Sequence, residues 1–412
     1  MTDILDTIRG HIFFVTYGGG HAAALAPVAQ LLRQRDVPVT ILGLTTAGGY
    51  FNRMGLASLG VKDLVEHVPG YEFAVATGER LVEGRPRHSA VSAEETAAYM
   101  GVGYTALEKW VGVEDAERLF VRSDRQAFRP VDFFARLFEI APPAALVGTN
   151  SPRSERAAFE AARDRGIPAL CLVDLYAAFE IEWCASEKYA DRICVLNDAV
   201  RDQFIERGVP PAKVTVTGNP SFDRIGRLDA NALRRQYREK LGLDGDDRLL
   251  VWISQPEPER HPFSGITGET SLPTDIERKF AAAFAHDNKV HLVFRLHPSE
   301  DRGPSVDGAR LRYGTVEEPL DDILCAADCV VTCSSTVGLE AAMLGVPVVQ
   351  ITRSIFSADL PLAKMGYARP ADTLEEAVDE IRAAFTKPHP PCPEGQFEAT
   401  KRVADAIVDL VR

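Results

Sequence analysis

In the first half of the chain, short runs of consecutive apolar residues alternate with longer stretches whose apolar positions recur every three or four residues. The runs HIFFVT (11–16), PVTILGL (38–44), AALVGT (144–149), PALCLVDL (168–175), RICVL (192–196) and KVTVTG (213–218) predict strands. Several lack polar alternation, as strands buried on both faces of a parallel sheet do. The periodic stretches 21–35, 153–165 and 198–207 predict helices between them. Strand and helix in turn make the βαβ rhythm of a doubly wound α/β domain.

A second series follows. RLLVWIS (248–254), VHLVFRL (290–296), DCVVTC (328–333) and VPVVQI (346–351) predict strands, with helices over 273–286, 336–344 and 374–386. The stretch 219–247, with GNPSFDR and the turn-like GLDGDD, separates the two series and puts a domain boundary near 222. After the proline-rich KPHPPCPEG, a last helix is predicted over about 396–411. Residues 84–140 break the rhythm. They are rich in Arg, Glu and aromatics, and SAEETAAYMGVGYTALEKWV opens with Ser92 and Glu95 at capping-box spacing. This predicts a helical insertion in the first domain, serving as a wall of a substrate cleft or as plain helical packing. The expected organisation is a first domain over 1–221, a second over 222–392 and a closing helix within 393–412. No short-period repeat or low-complexity tract interrupts it.

Composition narrows the class of function. A length of 412 residues suffices for two domains with cores of their own. A formal net charge of −13 argues against general nucleic-acid binding, which needs basic surface, but leaves room for a local basic pocket around a phosphorylated ligand. No apolar run reaches membrane-spanning length. The acidic start MTDILD, without a basic leader into an apolar core, predicts a cytoplasmic protein and leaves peripheral membrane association open. The seven cysteines are scattered; Cys325, Cys329 and Cys333 are spaced by fours, which puts the first two on one helical face, and with no zinc-ligand pattern they read as small apolar residues.

Five stretches carry candidate chemistry. Gly18-Gly19-Gly20-His21 lies between the first strand and the first helix. Three glycines in a row cost backbone entropy, so something should require them. Their spacing is not that of a dinucleotide fingerprint, and no Lys-Ser/Thr follows as in a P-loop. What remains is a flexible strand-to-helix turn with an imidazole at its mouth. His21 is a candidate base for an acceptor hydroxyl; a helix cap or a bond to a carbonyl is the alternative. In CSSTVGLEAAMLGVPVVQI (333–351), Ser334, Ser335 and Thr336 follow a strand and open a helix, so hydroxyls and free N–H groups could form an anion site. Glu340, one turn further, could accept from paired sugar hydroxyls; an ordinary cap and an exposed Glu are the alternative.

In VFRLHPSED (293–301), Arg295 and His297 stand at a strand's C-terminal end, placed to meet phosphate oxygens. In WISQPEPERH (252–261), Ser254 and Gln255 could line a cleft, and Arg260 and His261 add potential positive charge. VTGNPSFDR (216–224) reads as hinge architecture first and binding second. Asp244 and Asp246 in LDGDDR read as a surface turn, a poor candidate for a metal site.

Together these motifs resemble the GT-B glycosyltransferase superfamily, which includes the related UDP-N-acetylglucosamine 2-epimerases. GGGHAAALAPVAQLL is similar to the Gly-His start of many members, although Pro27 comes later than usual. VTGNPSFD resembles the epimerase-type crossover. RLHP and SSTVGLEAAMLGVPVV look like donor-site motifs of capsule and teichoic-acid transferases, which include CMP-sugar and CDP-glycerol users. The resemblance spans most of the chain and implies an α/β GT-B fold: two doubly wound Rossmann-like domains facing across a cleft, with a helical insertion in the first. It implies an acceptor held by the first domain and a nucleotide by the second. Ser334, Ser335 and Thr336 would bind donor phosphates, Glu340 the ribose, and His297 the phosphate or nucleotide. Gly18, Gly19 and Gly20 would form a cleft loop, and His21 would be the base or an oxyanion partner. No catalytic metal and no cofactor beyond a UDP- or CMP-linked sugar substrate is implied, and the last helix would return to the first domain.

The expected function is therefore transfer of a sugar from a nucleotide sugar to a hydroxyl acceptor, in bacterial surface-glycan or protein glycosylation. A hydrolysing epimerase would carry an Arg-Arg-Glu-Asn-like loop after the first strand of the second domain. This chain has Gln255-Pro256-Glu257-Pro258 there, which favours transfer. The alternatives are a UDP-N-acetylglucosamine 2-epimerase-like enzyme or nucleotide-sugar hydrolase, a CDP-glycerol-type glycerophosphotransferase and a non-catalytic sugar-nucleotide-binding protein. Base, sugar, acceptor, stereochemistry and oligomeric state stay open.

Overall fold

The computed structural model describes residues 3–85, 89–186, 189–300, 302–315, 317–386 and 397–412. The proline-rich break at 387–395, and with it the expected boundary at 392–393, lies outside them. The chain divides into two compact units, Met1–Asp223 with Phe397–Arg412, and Arg224–Gln396.

The first unit is built on β1 (Ile12–Tyr17), β2 (Val39–Leu44), β3 (Ala145–Thr149), β4 (Ala169–Leu172), β5 (Arg192–Val195) and β6 (Val214–Val216). They form one sheet in the order β2-β1-β3-β4-β5-β6, parallel throughout. β2, β3 and β4 are buried along their whole length, which is why their sequences show no polar alternation. Between β1 and β3 the strand order reverses direction. Such a switch point leaves a crevice beyond the carboxyl ends of the two strands. Helix Gly18–Gln34 packs Leu25, Val28 and Leu32 into the same core as Phe14 and Val147, and helix Ala399–Leu410 adds Val403, Ala404 and Ile407 to it.

The helical stretch expected over 84–140 starts earlier, at helix Thr46–Arg53, and the described helices between β2 and β3 run on to Val131–Ile140. Helices Ala74–Val82 and Ala93–Val111 meet at backbone distance. A Cβ on Gly78 would lie 1.8 Å from the Ala97 carbonyl oxygen, and one on Gly101 would lie 1.7 Å from that of Ala74. The two Ala-x-x-x-Gly patterns, Ala74/Gly78 and Ala97/Gly101, thus close against each other in opposite directions, and only glycine fits at their contacts. Ser92 caps the second of these helices by accepting the Glu95 N–H at 3.2 Å. The capping box is only half made. The Glu95 carboxylate turns away and accepts the N–H groups of Val61 and Lys62 at 3.1 and 3.2 Å. Glu95 is 7% exposed, and burial pushes its pKa up to about 7.

The second unit carries β7 (Arg248–Ile253), β8 (Val290–Arg295), β9 (Leu311–Gly314), β10 (Cys329–Thr332), β11 (Val348–Ile351) and β12 (Arg369–Ala371). The order is β12-β11-β10-β7-β8-β9, again parallel, with its switch point between β7 and β10. Alternate residues of β7 serve separate cores. Leu250 and Trp252 pack with Phe280 and Phe294 on one face, while Leu249, Val251 and Ile253 pack with Ile323 and Val330 on the other. The edge strands β9 and β12 are absent from the sequence expectation. Cys325, Cys329 and Cys333 do not share a helical face: the first lies in helix Leu320–Ala326, the second begins β10 and the third follows it, all buried.

Asp328, at the foot of β10, holds helix Ala230–Lys240 to the sheet. It takes Arg234 at 2.6 Å, Arg238 at 2.9 Å and the Leu249 N–H at 2.8 Å.

Candidate functional site

In the first unit the site grows from the end of β1. Gly18 has φ +77°, a conformation that other residues adopt only with strain. Helix Gly18–Gln34 starts at once, so the three glycines form its first turn and not the flexible bend expected from the sequence. Of the three, only Gly18 needs its glycine for backbone conformation. What all three provide is room: a Cβ on any of them would meet nothing within 4 Å.

His21 follows in the same first turn, its side chain 25% exposed. Its Nδ1 hydrogen-bonds the Thr149 hydroxyl at the end of β3, bridging the switch point. Thr149 Oγ1 also donates to Glu155 Oε2 at 2.7 Å. The fully buried Glu155 carboxylate accepts the Thr149 N–H as well, and the Tyr17 N–H at 2.6 Å. These partners assign the protons. A carboxylate only accepts, so the Thr149 hydrogen points at Glu155 and its lone pair faces His21. Nδ1 of His21 therefore carries the hydrogen, and Nε2 is left free to take a proton. Burial raises the pKa of Glu155, opposed first by the charge of His21 and then by the Thr149 and Tyr17 donors.

Further polar groups gather at the same strand ends. Asn150 Oδ1 accepts the Asp174 N–H at 2.9 Å, and Asn219 Nδ2 donates to the Asp174 carbonyl at 2.6 Å and to Oδ1 at 3.2 Å. The GNPSFDR turn thus braces the loops after β3 and β4. Glu180, in the loop after β4, has its pKa raised by burial, while the charge of His21 lowers it and that of Asp174 raises it. Thr45 and Ala177, which follow β2 and β4, have φ of +54° and +56°. Strained conformations at non-glycine residues concentrate around functional sites. Sequence reasoning singled out His21 as a candidate but not Thr149 and Glu155, which the structure joins to it. In SERAAFEAARD, Glu155 looks like any surface residue of a helix start, and only its depth marks it out.

The second unit repeats the arrangement. Gln255, just after β7, bridges that unit's switch point to Ser334, just after β10. Its Oε1 accepts the Ser334 N–H at 2.9 Å and the Ser334 hydroxyl at 3.0 Å. Its Nε2 donates to Ser354 Oγ at 3.2 Å, which in turn donates to the buried Glu257 at 2.7 Å. Two hydroxyls expected at donor phosphates are used within the protein: Ser334 binds Gln255, and Ser335 is the N-cap of helix Thr336–Met343, accepting the Val337 N–H at 3.2 Å. Thr336 is exposed at the helix start.

Ser254 is buried and donates to Glu300 at 3.0 Å. Arg295 donates to the Glu318 carbonyl at 2.9 Å, so part of its guanidinium is engaged within the fold. His297 is exposed, and its Nδ1 accepts the Ser299 N–H at 3.1 Å. Nε2 therefore carries the ring hydrogen, which suits His297 to donate to an anion. Glu340 Oε2 is held by Arg224, which also grips Asp321 at 2.6 and 2.9 Å. Burial raises the pKa of Glu340, and the Arg224 charge opposes it. Arg302 anchors the loop after β8, pairing with the buried Glu277 at 2.6 and 3.1 Å and with Glu300 at 2.9 Å. Among the described residues no group of three or more His, Cys, Asp or Glu could hold a metal ion, and no helix is long and apolar enough to cross a membrane.

No family model matches the sequence, and no curated protein is similar to it in sequence. Solved structures do match. UDP-GlcNAc 2-epimerase from Methanocaldococcus jannaschii superposes with a TM-score of 0.58 at 11% identity, over 97% of this chain and 99% of that one. UDP-GlcNAc 2-epimerase from Neisseria meningitidis bound to UDP-GlcNAc gives 0.58 at 12% identity, over 97% and 100%. The glycotransferase of kitacinnamycin gives 0.54 at 15% identity, over 98% and 100%. The chain has the GT-B fold. At these identities the likeness concerns the fold alone. Within a GT-B chain, both sets of polar residues stand where α/β sheets bind ligands, beyond the carboxyl ends of the strands at a change in strand order.

Proposed function

We propose that this chain is a nucleotide-sugar-dependent glycosyltransferase that moves a sugar to a hydroxyl acceptor without a catalytic metal. The observation that carries this reading is the His21–Thr149–Glu155 relay, which engages Nδ1 and leaves Nε2 for a proton, in a helical turn whose three glycines leave open space. In the proposed reaction Nε2 takes the proton of the acceptor hydroxyl as its oxygen attacks the anomeric carbon. The bond from that carbon to the nucleotide's phosphate oxygen breaks, and the electron pair leaves with the phosphate. Glu155 steadies the imidazolium through Thr149, a positioning role of the kind a buried carboxylate plays behind a catalytic histidine. The second unit would hold the nucleotide. His297 Nε2–H and the start of helix Thr336–Met343 are donors for the growing negative charge, and Glu340 Oε1 is an acceptor for a ribose hydroxyl.

The test is turnover of UDP- and CMP-linked sugars with a panel of hydroxyl acceptors. Nucleotide release that depends on an acceptor supports transfer. His21→Ala should lower it by about 10²–10⁴-fold with the nucleotide still bound. A variant with normal turnover removes His21 from the mechanism.

A second reading is epimerisation or hydrolysis on the same fold. It is supported by the fold that the chain shares with UDP-GlcNAc 2-epimerases. Incubation with UDP-GlcNAc alone separates the two, because an epimerase or hydrolase acts without an acceptor.

A further inference from the structure

Arg153 immediately follows the β3 loop and is the N-cap residue of helix Ser154–Asp164, two positions before Glu155. It is 9% exposed, yet among the described residues no carboxylate pairs with it. Its Nη1 donates to the neutral Gln126 at 2.8 Å, and the guanidinium lies over the Tyr17 ring at 4.5 Å. Its Nε is buried without a hydrogen-bond partner, and its charge also reaches the buried Tyr99, whose ring lies 6.0 Å from that of Tyr17. Glu155 does not supply the missing charge. Its carboxylate is taken by Thr149, Tyr17 and His21.

A buried guanidinium without a counter-charge is costly, because desolvation is not repaid by a neutral amide and an aromatic face. A cation left in that state at the edge of a site is poised for an anion supplied from outside. Guanidinium is suited to this, since its fork of N–H groups matches the two oxygens of a carboxylate or phosphate.

We propose that Arg153 receives a carboxylate or phosphate group of the molecule on which His21 acts. The proposal rests on the reading of His21 as a catalytic base, and it adds that the acceptor is acidic. Tyr17 links Arg153 to the carboxylate behind His21: its N–H is bound to Glu155, and its ring underlies Arg153.

The experiment measures the thermal midpoint of the full chain against increasing inorganic phosphate and, separately, acetate, at constant pH and ionic strength. The wild type should show a saturable rise with at least one of them. The anion that saturates at the lower concentration names the group. Arg153→Gln should lose the saturable component, and Arg153→Lys should bind about tenfold more weakly. Arg295→Gln, in the second unit, and His21→Ala should both keep the response. A normal anion response with an inactive His21→Ala, or with no transfer at all, keeps the two readings distinguishable. Without added anion, Arg153→Met should be no less stable than wild type, since it removes an unmatched buried charge; a purely structural arginine would lose stability there. Absence of saturation with both anions in the wild type, or an unchanged response in Arg153→Gln, overturns the proposal. Should Arg153→Gln fail to fold, an unweakened response in Arg153→Lys overturns it instead.

Discussion

His21 Nδ1 and Glu155 Oε1 are 3.9 Å apart, and the Thr149 hydroxyl is hydrogen-bonded to both side chains. One threonine thus fixes the tautomer of the histidine. Thr149→Val keeps the shape and removes the hydroxyl. It should lower turnover by about 10–100-fold, leave nucleotide affinity unchanged and alter the pH profile. Equal turnover in Thr149→Val and wild type would sink the relay.

Glu340 offers a second check. Arg224 occupies one carboxylate oxygen, which orients the other. If that oxygen accepts from a ribose hydroxyl, Glu340→Ala should weaken UDP or CMP binding by about 1.5–3 kcal/mol, measured by calorimetry. Arg224→Ala should cost less, because the acceptor remains. Unchanged affinity in Glu340→Ala would reject the ribose role.

Glu95 makes stability depend on pH. Burial raises its folded pKa from 4.5 to about 7. A carboxyl with a raised folded pKa binds its proton more tightly in the native state. Its contribution is full below about pH 4.5 and is lost as pH rises through 7. The loss should approach about 3 kcal/mol. Urea midpoints at pH 5, 6, 7 and 8 should fall more steeply for wild type than for Glu95→Gln. Parallel curves would show that Glu95 titrates normally.

Asp328 is 6% exposed and binds Arg234 and Arg238 together. Removing it leaves two cations facing the carbonyls of Ala326 and Ala327 with no counter-charge. Asp328→Ala should destabilise the second unit by about 3–5 kcal/mol, seen as a lower urea midpoint. A change under 1 kcal/mol would mean the arginines find water instead.

Gly101→Ala should also destabilise, because its methyl group would lie at bonding distance from the Ala74 carbonyl oxygen. Helices Ala74–Val82 and Ala93–Val111 must then separate, and an overpacked core costs about 1–3 kcal/mol. An unshifted melting curve would show that this contact yields freely.

The strands buried on both faces were legible because their apolar runs are continuous. β9 and β12 were not: Leu311–Gly314 contains an arginine and is half-buried, and Arg369–Ala371 is three residues long with Pro370 inside it. Both lie at the edges of their sheet, where a strand needs little apolar surface and tolerates proline. In the sites, residues at strand ends could be read from their position: His21, Gln255, Ser334 and His297 all follow strands. Their partners could not. Gln255 meets Ser334 across 79 residues, Arg224 meets Glu340 across 116, and His21 meets Thr149 across 128. Nothing local distinguishes Glu155 from an exposed helix residue, or Arg153 from a solvated one. Pairing over such separations depends on strand order, which the pattern of apolar residues leaves undetermined.

Helix Ala399–Leu410 seats Val403, Ala404 and Ile407 in the core of the first unit, and Asp223 accepts its Ala399 and Thr400 N–H groups at 3.0 and 2.7 Å. On the ribosome, the unit that contains His21 therefore begins first and is sealed last, after the whole of the other has emerged. Until then the stripe of Leu25 and Val28 lacks its cover, so a chain cut short near residue 398 would lose the integrity of its amino-terminal half while its middle stayed intact.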